Sequence, residues 1–174
     1  MIMKYLSFEE YKKNAEKDPQ WKSYLARWEY HKLAIERLKA LNITKPGNVL
    51  EIGSFGAQIV PRSHTMELPD SSWQIGGYKP KTLHDARITP WPFKDERFDV
   101  VVALRVWHHL APVQREAFLE AKRIGKYVLI ACPEVEVVGK GVLREEFNVW
   151  NEGPPLEMYD LGAWGMVYLF GSAE

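Results

Sequence analysis

The stretch that decides the fold is Asn48–Ala57, NVLEIGSFGA. Pro46-Gly47 just before it is a turn signal, and Val49, Leu50 and Ile52 make an apolar, β-favouring run. The pattern predicts a short buried strand running straight into a glycine turn. Gly53 and Gly56 let the backbone bend sharply and leave no side chain between the turn and a ligand. Glu51 stands near the carboxyl end of that strand, where open α/β sheets place their ligands. A phosphate-binding loop fits poorly, because Gly-Lys-Ser/Thr and the G-x-G-x-x-G spacing are both absent. An acidic residue before the turn also suits a cationic or amino-bearing ligand better than a pyrophosphate.

Upstream of the turn, Ser7 followed by Glu10 has capping-box spacing and predicts a helix over 7–17, broken by Asp18-Pro19. A second helix is predicted from Trp21 to Leu41. Its apolar positions Trp21, Tyr24, Leu25, Trp28, Ile35 and Leu38 recur at helical spacing and read as a core stripe.

Downstream, only Gln58 to His64 separates Ala57 from the next β-like piece, Thr65–Leu68. A crossover between parallel strands needs a dozen or more residues, usually including a helix. Either that helix is cut to a turn or Thr65–Leu68 is not parallel to the first strand. Pro69 to Thr82, with Gly76-Gly77, is loop chemistry; Leu83–Ile88 is a weak strand-to-loop segment. Thr89-Pro90-Trp91-Pro92 cannot be helical.

Phe98–Ala103 is unbroken and β-branched, which predicts a central strand. Val113–Arg123 is a predicted helix with Phe118 and Leu119 inward. Tyr127–Ala131 is a predicted buried strand closed by Pro133. Trp164–Phe170 is a predicted last strand, antiparallel at an edge. Strands alternating with helices imply an α/β layered sheet. One domain over 1–174 is expected, with a helical cap over 1–45 and a sheet core over 46–174.

Composition agrees. The 174 residues are 46% hydrophobic, enough for one sizeable core. Lys+Arg and Asp+Glu are equal at 23 each, so no global field draws the chain to nucleic acid or to an anionic membrane. The single Cys132 excludes an internal disulfide framework and a cysteine-built zinc site. No apolar run reaches membrane-spanning length, and MIMKYLSFEEYKK is too charged for a signal peptide. A soluble, cytoplasmic protein is the expectation.

Two further strings carry a family resemblance. One is Asp85-Ala-Arg-Ile-Thr-Pro-Trp-Pro-Phe-Lys-Asp-Glu-Arg-Phe-Asp-Val-Val-Val-Ala103, and the other is Val106-Trp-His-His-Leu110. With the glycine turn they follow the order and spacing of class I methyltransferases that use S-adenosylmethionine, which the chain resembles over roughly Asn48 to Pro133. The resemblance implies a doubly wound, mostly parallel sheet with an antiparallel edge strand, preceded here by N-terminal helices. It implies S-adenosylmethionine as cofactor and no metal.

By position, Glu51 and the turn Gly53, Ser54, Phe55, Gly56 and Ala57 match the motif that holds the methionine end. Glu67 matches the carboxylate on the ribose hydroxyls, and Asp85 with Ala86 matches the adenine contact. Leu104 and Arg105 follow the fourth strand, beside the sulfonium. His108 and His109 are candidate bases for an acceptor hydroxyl, since an imidazole near neutrality suits that task. Adjacent histidines are expected to face different ways, so one of them should reach the site. Arg105 is a candidate for steering an anionic acceptor.

The chain departs from the family pattern at two glycines, which are Phe55 and Ala57 here, and in its short first crossover. No Asp/Asn-Pro-Pro-Tyr/Phe follows the fourth strand, which argues against methylation of amino groups on DNA bases. The tail after Pro133 is expected to form the substrate wall together with the N-terminal helices; Arg144, Trp150, Tyr159 and Trp164 are its candidates and read equally well as core and edge residues. The implied activity is methylation of a small-molecule acceptor, at oxygen rather than nitrogen. The alternative is a methyltransferase fold kept for binding or assembly, and a homodimer is a possible state.

Overall fold

Val49–Ile52 forms β1, with all four residues buried, and its neighbours on both sides run parallel to it. These are β2 (His64–Glu67) and β4 (Phe98–Leu104). The structure, a computed structural model, describes residues 2–17, 25–68, 78–135 and 139–171. Trp21, Tyr24 and Gly76-Gly77 lie outside the described residues.

The two-residue β3 (Thr82–Leu83) extends the parallel set beyond β2, and β5 (Gly125–Cys132) extends it beyond β4. Past β5 the direction reverses. The last strand, β7 (Met166–Gly171), pairs antiparallel with β5, and β6 (Glu157–Asp160) pairs antiparallel with β7. The sheet order is β3-β2-β1-β4-β5-β7-β6. Val100, Val101 and Val102 are essentially inaccessible, as a strand covered on both faces requires.

The antiparallel segment expected near the end is therefore β7, but the edge itself is β6. Its sequence, EMYD, is short and half-polar, with residues alternating between half-buried and exposed. Such a strand carries little apolar signal of its own.

Helices cover both faces. On one side lie α1 (Phe8–Lys17) and α2 (Trp28–Ala40), the latter preceded by a 3-10 turn at Leu25–Arg27. The Ser7 hydroxyl caps the first helix, accepting from Glu10 N at 3.1 Å. On the other side lie α3 (Gln114–Ile124) and α4 (Arg144–Asn151). Their aromatic seam joins Phe118 to Phe170, with ring centroids 4.9 Å apart, and Phe147 to Tyr168 at 5.0 Å. Phe118 is buried as expected. Leu119 is 40% exposed instead, because the buried stripe of α3 runs through Ala117, Phe118, Ala121 and Ile124 and leaves 119 about 100° off it.

The first crossover settles an open alternative: β2 is parallel to β1, and the helix is cut to turns over residues 53–63. Two features replace it. Ile59 and Val60 are fully buried against the sheet, each stabilising by roughly 1.5–3 kcal/mol. The N-terminal segment then closes over them, with Leu6 N donating to Ile59 O at 2.9 Å.

Candidate active site

β1 and β4 are adjacent and parallel, but the chain leaves β1 toward β2 and leaves β4 toward β5 on the opposite side. Their outgoing loops diverge and open a crevice at the carboxyl edge of the sheet, the usual ligand position in open α/β folds. A cavity of about 670 Å³ occupies it, within the range of small-molecule sites. The turn after β1, the ends of β2 and β4, residues 84–87, residues 105, 106 and 108–110, and Arg27 with the start of α2 line it.

The turn after β1 is made as the sequence predicts. Gly53 has φ +68, and a Cβ there would stand 2.6 Å from Val106 Cγ2, so the close approach of the two loops needs glycine. Ser54, Phe55 and Ala57 also line the cavity, whereas Gly56, at φ +100, shapes the bend from behind. Phe55 itself holds φ +52, a left-handed conformation that costs an ordinary residue roughly 1–2 kcal/mol. Its N–H donates to Glu67 Oε1 at 3.1 Å, one of the bonds that hold it there.

Two buried carboxylates face this turn and have different surroundings. Glu51 Oε1 accepts from Ile59 N at 2.8 Å; its Oε2 accepts from Val60 N at 3.1 Å and from Ser63 Oγ at 2.6 Å. Its side chain thus ties down the shortened crossover. Glu67 uses one oxygen for everything: Oε1 accepts from Ser54 Oγ, Phe55 N and Tyr78 OH at 2.9, 3.1 and 3.1 Å. Among the described residues, Glu67 Oε2 is buried with no hydrogen-bond partner. Burial pushes both carboxyls up to about 7, against the hydrogen bonds that lower them.

On the far wall, Asp85 is bound by its neighbour: the Arg87 side chain forks onto both carboxylate oxygens at 2.8–3.2 Å, and Arg87 N donates to Oδ1 at 2.9 Å. That fork holds the Asp85 carboxyl below its ordinary range. Ala86 is buried, and its carbonyl accepts from Trp91 Nε1 at 3.0 Å. After β4, Leu104 and Arg105 line the cavity, Arg105 with φ +63 and with its guanidinium donating to Trp164 O at 3.2 Å.

His108 and His109 both line the cavity, His108 buried and His109 exposed, with ring centroids 4.0 Å apart. This corrects the expectation that only one would reach it. They sit in a 3-10 turn, Trp107–His109, where neighbours step by about 120° instead of alternating as in a strand.

The tail does not form the wall expected of it. Among the described residues, Arg144, Trp150, Tyr159 and Trp164 are all absent from the lining. Trp150 packs on Phe118 and Phe147, Arg144 pairs with Glu134, and Tyr159 bonds Glu157 and Arg37. The N-terminal helices, the other part of the expected wall, do close that side, through Arg27, Tyr30 and His31. Sequence reading passed over them because an aromatic-rich helix start reads as core. The available signal was Arg27 and His31 four apart, polar residues on one helical face amid Trp28 and Tyr30.

Comparison with known proteins agrees with this geometry. A methyltransferase domain family matches residues 65–127. A search of curated proteins finds no match. Among solved structures, one similar chain comes from a complex of the Haloferax volcanii Trm112 methyltransferase activator with a protein described as a methyltransferase. It has 12% identity and a TM-score of 0.64, over 95% of this chain and 98% of that one. Magnesium protoporphyrin IX methyltransferase from Synechocystis PCC 6803, solved with S-adenosylmethionine, has 12% identity and a TM-score of 0.56, over 86% and 80% of the two chains. A SAM-dependent methyltransferase from Aquifex aeolicus has 14% identity and a TM-score of 0.50, over 78% and 87%.

The fold is that of the class I methyltransferases. Within it, residues 65–127 match a methyltransferase domain family, and S-adenosylmethionine is the cofactor that this likeness implies. The site fits the group: an acceptor oxygen on Glu67, buried and unpartnered, stands in the wall of a cavity large enough for a nucleoside. Among the described residues, no helix is long and apolar enough to cross a membrane.

Proposed function

We propose that the protein methylates a hydroxyl oxygen on a small carbohydrate or metabolite within this cavity. The observation that carries the reading is Glu67 Oε2, buried and unpartnered at the end of β2. A vicinal diol supplies two O–H donors that one carboxylate can accept, so ribose hydroxyls complete this group. S-adenosylmethionine, when bound, supplies a methyl group on a sulfonium.

The chain's part is mainly positioning. The turn Gly53–Ala57 would hold the methionine end by its backbone, and Glu51 ties down the crossover behind it. Asp85 and the backbone of Ala86 would hold the adenine, and Arg87 keeps Asp85 ionised as an acceptor. Leu104 and Arg105 flank the reacting end. His108 and His109 are the candidates for receiving the acceptor's proton, and Arg105 for drawing in an anionic acceptor. The formal net charge of zero favours a small molecule over nucleic acid, and the cytoplasm is the proposed compartment. A homodimer is the proposed assembly.

A second reading, a methyltransferase fold kept for binding or assembly, is favoured by the helix-free first crossover and by Phe55 and Ala57 at glycine positions of the family. Calorimetric titration with S-adenosylmethionine and S-adenosylhomocysteine separates the two. Micromolar binding, weakened in Glu67→Ala and Asp85→Ala, supports the enzyme and justifies a panel of hydroxy compounds with labelled methyl donor. No binding by the intact protein at high ligand concentration sinks the enzyme reading in favour of the second.

A further inference from the structure

His31 is a cavity-lining residue with a defined hydrogen-bonding sense. Its Nδ1 lies 3.0 Å from the carbonyl oxygen of Arg27, one helical turn earlier. A carbonyl only accepts, so Nδ1 carries the hydrogen and Nε2 carries the lone pair. The ring is held by aromatic neighbours, with centroids 4.8 Å from Tyr30, 4.9 Å from Tyr11 and 6.3 Å from Trp28. Burial pushes the imidazole pKa down to about 4, so the ring is neutral at physiological pH. His31 lines the cavity, and among the described residues nothing bonds Nε2.

A fixed, neutral lone pair in a ligand cavity reads a hydrogen donor. We propose that His31 Nε2 is a ligand-binding atom that accepts a hydrogen bond from an O–H or N–H⁺ group held in the cavity. Two sources have this chemistry: the hydroxyl of the methyl acceptor and the α-ammonium of the cofactor's amino-acid end. The inference rests on the S-adenosylmethionine reading of the cavity. It adds a residue from the N-terminal cap, outside the segment that carries the family resemblance. In the hydroxyl case the acceptor's one hydrogen lies on His31, which positions the oxygen with a lone pair free for the methyl group, and His31 then replaces His108 and His109 as the group nearest that proton.

The test uses the full chain with ¹⁵N-labelled histidine and the variant His31→Phe, which keeps a ring among Tyr11, Trp28 and Tyr30 but lacks Nε2. Binding of S-adenosylhomocysteine by the wild type tests the underlying reading separately. The His31 side-chain resonances then report the tautomer: an unprotonated Nε2 that moves upfield when a donor arrives is the expected result. If the donor is the ammonium, the Nε2 signal moves with S-adenosylhomocysteine. His31→Phe then binds that ligand about tenfold more weakly, while 5′-methylthioadenosine, which lacks the amino-acid end, binds within twofold of wild type. If the donor is a hydroxyl, both ligands bind unchanged. The Nε2 signal of the S-adenosylhomocysteine complex then moves on adding phenol and not on adding benzene. A protonated Nε2, a signal moved by neither S-adenosylhomocysteine nor phenol, or equal weakening of both nucleosides in His31→Phe overturns the proposal, the last because it marks a packing role.

Discussion

Glu51, one residue before the end of β1, and Glu67, at the end of the adjacent parallel β2, are equally buried at 2% exposure and share a carboxyl pKa pushed up to about 7. What separates them is where their donors come from. Glu51 spends both oxygens on the chain itself, on two backbone N–H groups and a hydroxyl of the crossover that follows it. Glu67 gathers three donors on one oxygen and leaves the other, buried, without a partner. A buried acceptor left unmade costs about 1–3 kcal/mol, a cost that a donor on a bound ligand would remove. The first carboxylate is a piece of architecture standing in for a missing helix; the second is the one proposed to take a ligand.

The contrast breaks most visibly at Glu51. Glu51→Ala strands the Ile59 and Val60 N–H groups and the Ser63 hydroxyl in a buried loop, and is expected to cost about 3–5 kcal/mol in urea denaturation. A loss below 1 kcal/mol would show that the crossover does not depend on this clamp.

Glu67→Gln should do the reverse. The carboxamide keeps the shape but puts a donor among donors and weakens the acceptor offered to a ligand. S-adenosylhomocysteine affinity is expected to fall about 10- to 100-fold by calorimetry, with a smaller change in stability than Glu51→Ala produces. Loss of stability as large as that of Glu51→Ala would erase the distinction.

The shared pKa sharpens it further. For a carboxyl raised from 4.5 to about 7 on folding, the unfolded chain has released protons that the folded chain still holds between those values. The contribution of both groups to stability therefore falls as pH rises through that window. Only Glu67 adds a ligand effect: its carboxylate form is the better acceptor, so cofactor affinity is expected to rise from pH 6 to 8. That rise should vanish in Glu67→Gln and persist in Glu51→Gln, a difference that titrations at three pH values would read.

The smallest effect belongs to Tyr78→Phe, which removes one of the three donors on Glu67 Oε1. Affinity should fall about two- to threefold, since the other two donors still orient the carboxylate. Unchanged binding would mean that Ser54 and Phe55 N suffice.

Legibility of the fold followed burial. β1 and β4 carry β-branched, apolar residues because both faces are covered, and their segments announce themselves. β6 and α4 have one covered side at most, Phe147 being the buried residue of α4, and neither was legible. Leu119 shows the limit of reading apolar residues as inward: being apolar does not set the helical angle at which Phe118 is buried.

At the site, positions that depend on backbone conformation were readable. Gly53 was, because a positive φ and a close approach select glycine. Partners separated in sequence were not. Ser63 on Glu51, Tyr78 on Glu67 and the start of α2 over the cavity all arise from where distant segments meet.

The sequence by itself determined the strand–turn at Asn48–Ala57, the central strand at Phe98–Ala103, the alternation that makes the sheet, and the acid at the end of β2. These are local consequences of side-chain shape, apolar pattern and glycine freedom. Only the tertiary structure decided that Glu51 would be consumed by the crossover while Glu67 kept an oxygen open, that both histidines would line the cavity, and that α2 and not the tail would close it. Hydrogen-bond partners and burial belong to segments brought together, and no single segment encodes which of its polar atoms will be left without a neighbour.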